Sequence, residues 1–468
     1  MWLAIDKRIN TSLIRQIYGQ IKSMILEGEL PAGHKLPSTR WLSEDLKVSR
    51  NVVLEAYAQL EAEGYIESRR GSGTMVAEGL YFRRSEAKVE KRLSSTGYKE
   101  EDSGLIDFRS GIPALDLFPQ KEWGRLFHKI CSQVSYSAFR YGDSEGIMEL
   151  REALSDYLFR VRGIRCSPEQ IMITSGSTQG LSLISKLLYN PDIEIIVEDP
   201  VHYGLLNVIA SYGYSIKPIP VDYKGIRTDM LKTDNDVGFV YVTPSHQFPL
   251  GGVLPIQRRI ELIRFAEEKD CYIVEDDYDS EFRYEGQPIS SLYELEPNRV
   301  IYVGSFSKIL APALRLGYVI LPDVLIPKYL RLKKYTDVHT ESLSQLVLAQ
   351  FIHDGKLEKH IWKMKKEYYK KRQAAINSLN SNFPDKYVVK GHAAGLHLVA
   401  EFQNVSFTEA VLEKIMQQKV KVYPVEKYTI HKGKHSNKLI IGYGHLSTAE
   451  IAEGIKRIKE GVRRGGGS

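Results

Sequence analysis

A lysine that closes a small hydroxylated turn is the first residue in this chain with chemistry to offer. It ends Val303-Gly304-Ser305-Phe306-Ser307-Lys308, and Arg315 follows in Leu-Arg-Leu-Gly-Tyr. Lysine condenses with carbonyl compounds when its surroundings lower its pKa. Serine hydroxyls and a guanidinium fork beside it are what a phosphate dianion requires. An aldehyde and a phosphate in one ligand describe pyridoxal 5′-phosphate (PLP), which makes Lys308, Ser305, Ser307 and Arg315 candidate cofactor residues. Ser-x-Ser-Lys alone is a weak motif, because a surface lysine after a strand reads the same way. Distant parts of the chain must supply the rest of the site.

Such a site needs a scaffold that ends several strands at one place. From Leu105 onward the apolar runs 171–174, 193–197, 237–243, 271–274 and 300–303 alternate with helical patterns, an α/β signature with a largely parallel sheet. Ligands gather at the carboxyl ends of such strands, and polar residues cluster there. After the first run, Ser175-Gly176-Ser177-Thr178-Gln179-Gly180 opens a helix whose free N–H groups suit an anion, though an ordinary N-cap looks identical. After the second, Glu198-Asp199-Pro200-Val201-His202-Tyr203 offers two rings, either of which could lie on a flat cofactor or simply pack. The third leads into Thr243-Pro244-Ser245-His246-Gln247-Phe248-Pro249-Leu250-Gly251. The fourth leads into Glu275-Asp276-Asp277-Tyr278-Asp279-Ser280, carboxylates set against a tyrosine at the end of a buried strand. No histidine–carboxylate spacing around it fits a transition metal, and no metal site is expected.

The first seventy-seven residues read differently. Leu13, Ile14, Ile17, Ile21, Met24 and Ile25 form one apolar helical face, and Gly28 and Pro31 stop it. Ser38 opens a short second helix with Trp41, Leu42 and Leu46 inward, and Ser49 caps a third with Val52, Val53, Ala56, Tyr57 and Leu60 inward. A hairpin with the basic tip Arg69-Arg70-Gly71-Ser72-Gly73 completes a winged helix-turn-helix. Its third helix would present Ser49, Arg50 and Asn51 to a major groove, while Arg40, Arg69 and Arg70 suit phosphate contacts. The alternative is a helical protein-interaction module with solvated charges. Residues 78–104 are mixed-charge and serine-containing, a linker to a domain spanning 105–463; 464–468 read as a flexible tail.

The totals agree with this division. At 468 residues the chain exceeds one ordinary core, and 43% hydrophobic with 26% charged residues are those of a soluble globular protein. No run of about eighteen apolar residues and no signal-peptide core appear, which predicts a cytoplasmic protein without a membrane partner. Cys131, Cys166 and Cys271 form no CxxC, in keeping with a reducing compartment. A net charge of +6 is compatible with nucleic acid binding without arguing for it.

The head resembles GntR-type DNA-binding domains through Gly28-Glu-Leu-Pro-Ala-Gly-His-Lys-Leu-Pro-Ser38, Leu46-Lys-Val-Ser-Arg-Asn-Val-Val53 and Leu60-Glu-Ala-Glu-Gly-Tyr-Ile66. The strand-end constellation resembles the fold-type I, aspartate aminotransferase-like PLP enzymes. Together, from Ser12 to the final helix, the chain resembles the MocR/GabR family of PLP-binding transcriptional regulators. That resemblance implies a smaller C-terminal α/β subdomain and a head-to-tail homodimer on a double-stranded DNA operator. It implies that Lys308 holds PLP as an internal aldimine, that Asp276 pairs with the protonated pyridine nitrogen, and that Tyr278 hydrogen-bonds the phenolic oxygen. Gly176, Ser177, Thr178, Ser305, Ser307 and Arg315 would bind the phosphate, and Tyr141 would reach a neighbouring subunit's phosphate.

Three departures from the family pattern bear on the ligand. His202 stands where a stacking tyrosine is usual, with Tyr203 next to it, so either could stack. Pro-Leu-Gly replaces Pro-Thr-Gly after the third strand. His445 occupies the place of an arginine that grips a substrate carboxylate, which puts His445 and His246 forward as effector-pocket residues. A neutral imidazole cannot replace a bidentate guanidinium, whose contacts contribute roughly 1.5–3 kcal/mol each. Amino acids should therefore bind poorly unless Arg109, Arg331 or Arg372 substitutes. The expected function is a DNA-binding regulator that senses PLP, or an amine or amino-acid effector joined to it at Lys308, with control of PLP synthesis favoured. The alternative is an active aminotransferase with an accessory DNA-binding head.

Overall fold

The computed structural model describes residues 3–69, 71, 73–79, 104–287 and 289–464. Two units, Met1–Tyr98 and Lys99–Ser468, hold separate cores. Arg70 of the wing, nearly all of the linker and the last four residues of the tail lie outside the described residues.

In the first unit, helices Leu13–Leu26, Thr39–Asp45 and Arg50–Ala62 precede an antiparallel hairpin, Ile66–Arg69 with Gly73–Val76. Ile17, Ile21 and Ile25 pack with Leu42, Val53, Ala56, Leu60, Ile66 and Val76, the stripe that the three- and four-residue spacing requires. Trp41 departs from expectation: it is 51% exposed, because Leu42 and Ser43 take the inward arc of this short helix and one residue back lies about 100° away. Ser38 caps its helix by accepting from the Trp41 N–H, whereas Ser49 has the extended backbone of an N-cap without the side-chain bond.

The second unit is built on an eight-stranded sheet whose order departs from sequence order. Strands Glu194–Asp199, Ser215–Asp222, Val237–Val242, Tyr272–Asp277 and Val300–Ser305 are parallel neighbours. Ile171–Thr174 points the same way because the antiparallel strand Gly317–Ile320 lies between it and Val300–Ser305. The sheet is apolar on both faces, as a strand covered on two sides must be. Six carboxyl ends thus open on one edge. Beyond the long helix Lys356–Asn382, four antiparallel strands with helices Glu409–Gln417 and Thr448–Arg464 form the smaller C-terminal layer. No helix among the described residues is long and apolar enough to cross a membrane.

Candidate cofactor site

The strands run further than their apolar cores, and that sets the site. Tyr272–Asp277 carries the acidic segment inside the sheet, so side chains alternate between faces. Asp276 turns to a cavity that Lys308, Ser177, His202, Tyr241, Phe248, Tyr278, Asp279, Leu396 and His397 also line. Asp277 turns away. It is buried against Arg162 at 2.7 Å and accepts from the Tyr302 and Ser280 hydroxyls at 2.6 and 2.8 Å. Tyr241 donates to Asp276 at 2.6 Å.

Lys308 sits in the wall opposite. Burial lowers its pKa, while Asp279 and Asp276 pull the other way. Its amine donates to the Gly111 carbonyl. Gly111 has φ +79°, a conformation that favours glycine, and a Cβ there would stand 2.8 Å from the amine and displace it.

The hydroxylated turn and the loop after Ile171–Thr174 lie side by side, since Ser305 pairs with Gly317 and Gly317 packs on Gly176, with Ser177 at the cavity wall. Gly176, φ +83°, lies so close to the Arg315 guanidinium that a Cβ would meet it at 2.7 Å. Arg315 donates to the Ser175 carbonyl at 2.6 Å. Ser305 and Ser307 are joined hydroxyl to hydroxyl at 3.0 Å. The helix Ser177–Leu187 begins there with its first N–H groups unspent, and Thr178 lies exposed in its first turn.

Also on the cavity wall stands His202, which accepts the Gly204 N–H on Nδ1 and meets Phe248 edge-on at 5.4 Å. Burial, and secondarily Lys308, lowers its pKa. Tyr203 faces elsewhere, toward Tyr428 at 5.7 Å, and is 41% exposed. Tyr278 donates to the His246 carbonyl at 3.0 Å, which leaves its oxygen lone pairs as acceptors. His246 packs behind it, 2% exposed, with Nδ1 on Asp279 at 3.0 Å and Nε2 on the Gly391 carbonyl at 3.2 Å. Burial opposes charge on His246, yet Asp279 prevails and holds its pKa above the ordinary value. His397, 5.0 Å from the His246 ring, is pushed down to about 3 by burial and by that neighbour.

Several expected residues stand apart. Tyr141 is 86% exposed beside His339. His445 is half-buried three residues past strand Lys438–Gly442 and is not among the residues that line the cavity. Arg372 is buried on Glu285, Arg109 bonds Tyr423 and Asp107, and Arg331 is exposed on its helix. Sequence reading missed Tyr241, Asp279, His397 and Gly111. Of these, Asp279 lay in the acidic segment and Tyr241 was a hydroxyl inside an otherwise apolar run; His397 and Gly111 carried no local sign. On the head, Arg40, Ser49, Arg50, Asn51 and Arg69 are all exposed, and Arg50 reaches Thr39 at 3.5 Å.

The donor set fits PLP at each of its ends: a guanidinium, two serines and a helix start for an anion, an amine with lowered pKa for an aldehyde, and a buried carboxyl for a ring nitrogen. Asp276 carries a measurable consequence. Burial raises its carboxyl to about 6, with Tyr241 opposing. A carboxyl raised in the folded state contributes stability that is complete below its unfolded pKa of about 4 and is lost as pH rises through about 6. Cofactor-free Asp276→Asn should therefore match the wild type near pH 4 and be more stable by about 2–3 kcal/mol at about pH 8. Chemical denaturation of both proteins at the two pH values checks this; a difference independent of pH would contradict it.

Comparison with known proteins covers both units. The model of bacterial regulatory proteins of the gntR family matches residues 13–76, and that of aminotransferase class I and II matches residues 104–458. The uncharacterized HTH-type transcriptional regulator YdeL of Bacillus subtilis is 35% identical over 97% of this chain and 98% of its own. The probable rhizopine catabolism regulatory protein MocR of Rhizobium meliloti is 32% identical over 98% of this chain and 95% of its own. The HTH-type pyridoxine biosynthesis transcriptional regulator PdxR of Corynebacterium glutamicum is 31% identical over 85% of each. Among solved structures, the multiple substrate aminotransferase of Thermococcus profundus superposes with a TM-score of 0.73 at 29% identity, over 78% of this chain and 93% of that one. The α-aminoadipate aminotransferase LysN of Thermus thermophilus, complexed with N-(5′-phosphopyridoxyl)-L-leucine, gives 0.71 at 26% over 78% and 93%. The chain belongs to the MocR/GabR family of transcriptional regulators, in which a GntR-type helix-turn-helix head is fused to an aminotransferase class I and II domain.

Proposed function

We propose that the chain regulates transcription in the cytoplasm as a homodimer that reads PLP at Lys308 and, through it, controls PLP supply. The observation that carries this is the meeting of Lys308, Asp276, Tyr278 and His202 on one cavity next to an anion cradle. When bound, PLP supplies an aldehyde for an amine and an electron-withdrawing ring. Lys308 would hold it, Asp276 would keep its ring nitrogen protonated, and Tyr278 would offer its oxygen as partner to the phenolic group. His202 rather than Tyr203 would lie against the ring, since His202 lines the cavity. Gly176, Ser177, Thr178, Ser305, Ser307 and Arg315 would bind the phosphate. Tyr141, exposed beside His339, would serve a partner's phosphate.

Among the described residues that line the cavity, Lys308 is the only lysine or arginine, and Asp276 and Asp279 are carboxylates. A free amino acid would bring its carboxylate there without a guanidinium to receive it. This favours PLP itself, or an amine lacking a carboxylate, as the effector. The name of the Corynebacterium relative, a pyridoxine biosynthesis regulator, supports the same assignment. Differential affinity for PLP in two arrangements of the heads would couple occupancy to operator binding. Footprinting upstream of the chain's own gene and of PLP-synthesis genes, with and without PLP, should show protection that changes with PLP. Protection identical in both conditions would sink the proposal.

Transamination is the second reading, favoured by relatives such as the aromatic-amino-acid aminotransferase 1 of Thermococcus litoralis, 32% identical over 78% of this chain. Holoprotein mixed with a panel of amino acids should keep its visible cofactor absorption; rapid bleaching by any one of them favours the enzyme.

The head makes its own prediction. Arg50, exposed in the first turn of the third helix, would read a base edge. Arg50→Ala should weaken operator binding about 10- to 100-fold and relax specificity at one position. Arg69→Ala should weaken all sequences alike and reduce the salt slope by about 1. Electrophoretic titrations against operator and scrambled duplexes at several salt concentrations separate the two.

A further inference from the structure

Behind the anion cradle lies a chain of hydrogen-bonded polar side chains. Lys333, on helix Ile326–Asp337, is 0% exposed, and its amine donates to both oxygens of Asp337, at 3.0 and 2.9 Å, and to the Thr340 hydroxyl at 3.1 Å. Asp337 in turn accepts the Gln179 side-chain N–H at 2.7 Å. Gln179 then accepts the Ser175 backbone N–H on its Oε1, also at 2.7 Å. The carboxylate can only accept and the backbone N–H can only donate, so the orientation of the Gln179 amide is fixed by its neighbours.

The consequence falls on one peptide group. Ser175 has its N–H held by Gln179 and its carbonyl held by Arg315 at 2.6 Å. Both faces of the turn that leads to Gly176 and Ser177 are therefore clamped, one of them by a chain that ends in a buried cation. The far end is clamped as well. Val338, next to Asp337, has φ +62°, a strained conformation for a β-branched residue, and the Ser144 hydroxyl bonds its carbonyl at 2.7 Å. Thr340 bonds the Ile173 carbonyl at 3.1 Å, two residues before Ser175. A lysine this deep is retained only where its partners are met, and here they lead to the cradle.

We propose that Lys333, Asp337 and Gln179 are positioning residues that pre-set the Ser175–Ser177 turn and the Arg315 guanidinium for a phosphate, and so set preference for the phosphorylated cofactor over its unphosphorylated aldehyde. The inference rests on the reading of that turn as the PLP phosphate site. Gln179 would not touch the phosphate; it holds the backbone that would. Its loss should act on phosphate recognition and leave the aldehyde and ring contacts at Lys308, Asp276 and Tyr278 intact.

The test is an equilibrium titration of the full chain with PLP and, separately, with pyridoxal, followed by visible absorbance. Gln179→Met keeps the side-chain length and removes both hydrogen bonds. Its affinity for PLP should fall about tenfold, the worth of one hydrogen bond to a charged group, with less than about a twofold change for pyridoxal. Asp337→Asn, which keeps shape but not charge, should move the same ratio in the same direction by less, and serves where the first variant does not fold. An unchanged PLP-to-pyridoxal ratio in both variants overturns the inference, as does an equal loss for the two ligands. If the wild type itself binds neither ligand, the cofactor reading fails instead, and the two failures are distinct.

Discussion

Lys308→Ala protein should emerge colourless, retain no PLP through gel filtration, and still bind operator DNA without responding to added PLP. Among the described residues that line the cavity, the amine is the only group that can join an aldehyde covalently, because the others are carboxylates, imidazoles, hydroxyls and apolar side chains. Its pKa is lowered chiefly by burial, which raises the fraction of neutral, nucleophilic amine at physiological pH. Alanine removes that amine together with its bond to Gly111. It leaves the cradle residues in place, so residual affinity should be that of a phosphate and a ring held by weak contacts alone. Folding should be nearly unaffected, since a buried ammonium contributes little once its desolvation is counted. Absorbance, cofactor content after gel filtration and operator titration with and without PLP give three readouts. A variant that stays coloured and PLP-responsive would remove Lys308 from the mechanism.

The sequence made much of this site visible because four of its parts follow a strand directly. In a parallel sheet, residues just past consecutive strands are neighbours in space however far apart they lie in the chain. That logic reached Ser177, His202, Asp276 and Lys308. It brought His246 and Asp279 to the strand ends without pairing them, and it could not reach His397, since nothing local there announces a partner far back in the chain, nor Gly111, whose role is a backbone carbonyl. Tyr241 stayed hidden for a different reason. A strand buried on both faces reads as an unbroken apolar run, so the side that meets the cavity has no period to betray it. The antiparallel strand Gly317–Ile320 is four residues long, too short an apolar run to be told from a packed turn. In the head, a seven-residue helix is too short for periodicity to decide between Trp41 and its neighbours.

The two aspartates at the end of strand Tyr272–Asp277 should fail in opposite ways, although the sequence sets them side by side. Asp277→Ala strands Arg162, whose side chain is 6% exposed, with no charged partner in contact, since the salt bridge at 2.7 Å goes to Asp277. Burial opposes the Arg162 charge, and Asp277 is foremost among the groups that sustain it. Breaking such a buried pair from one side costs about 3–5 kcal/mol. Glu275 and Glu281 remain close, each pushed up to about 7 by burial and able to ionise in compensation, which places the cost at the lower end of that range. The melting temperature should drop by about 4–6 °C, with poor yield of folded protein. Asp276→Ala removes a carboxyl that burial already disfavours in its charged form, so above about pH 6 the fold should lose nothing. What it loses is cofactor: without a negative charge the ring nitrogen has no partner to keep it protonated. Thermal melts and PLP titrations of both variants give a crossed pattern, with stability lost in one and binding in the other. If Asp276→Ala proved the less stable of the two in the cofactor-free state, the assignment of one aspartate to the cavity and the other to the scaffold would be reversed.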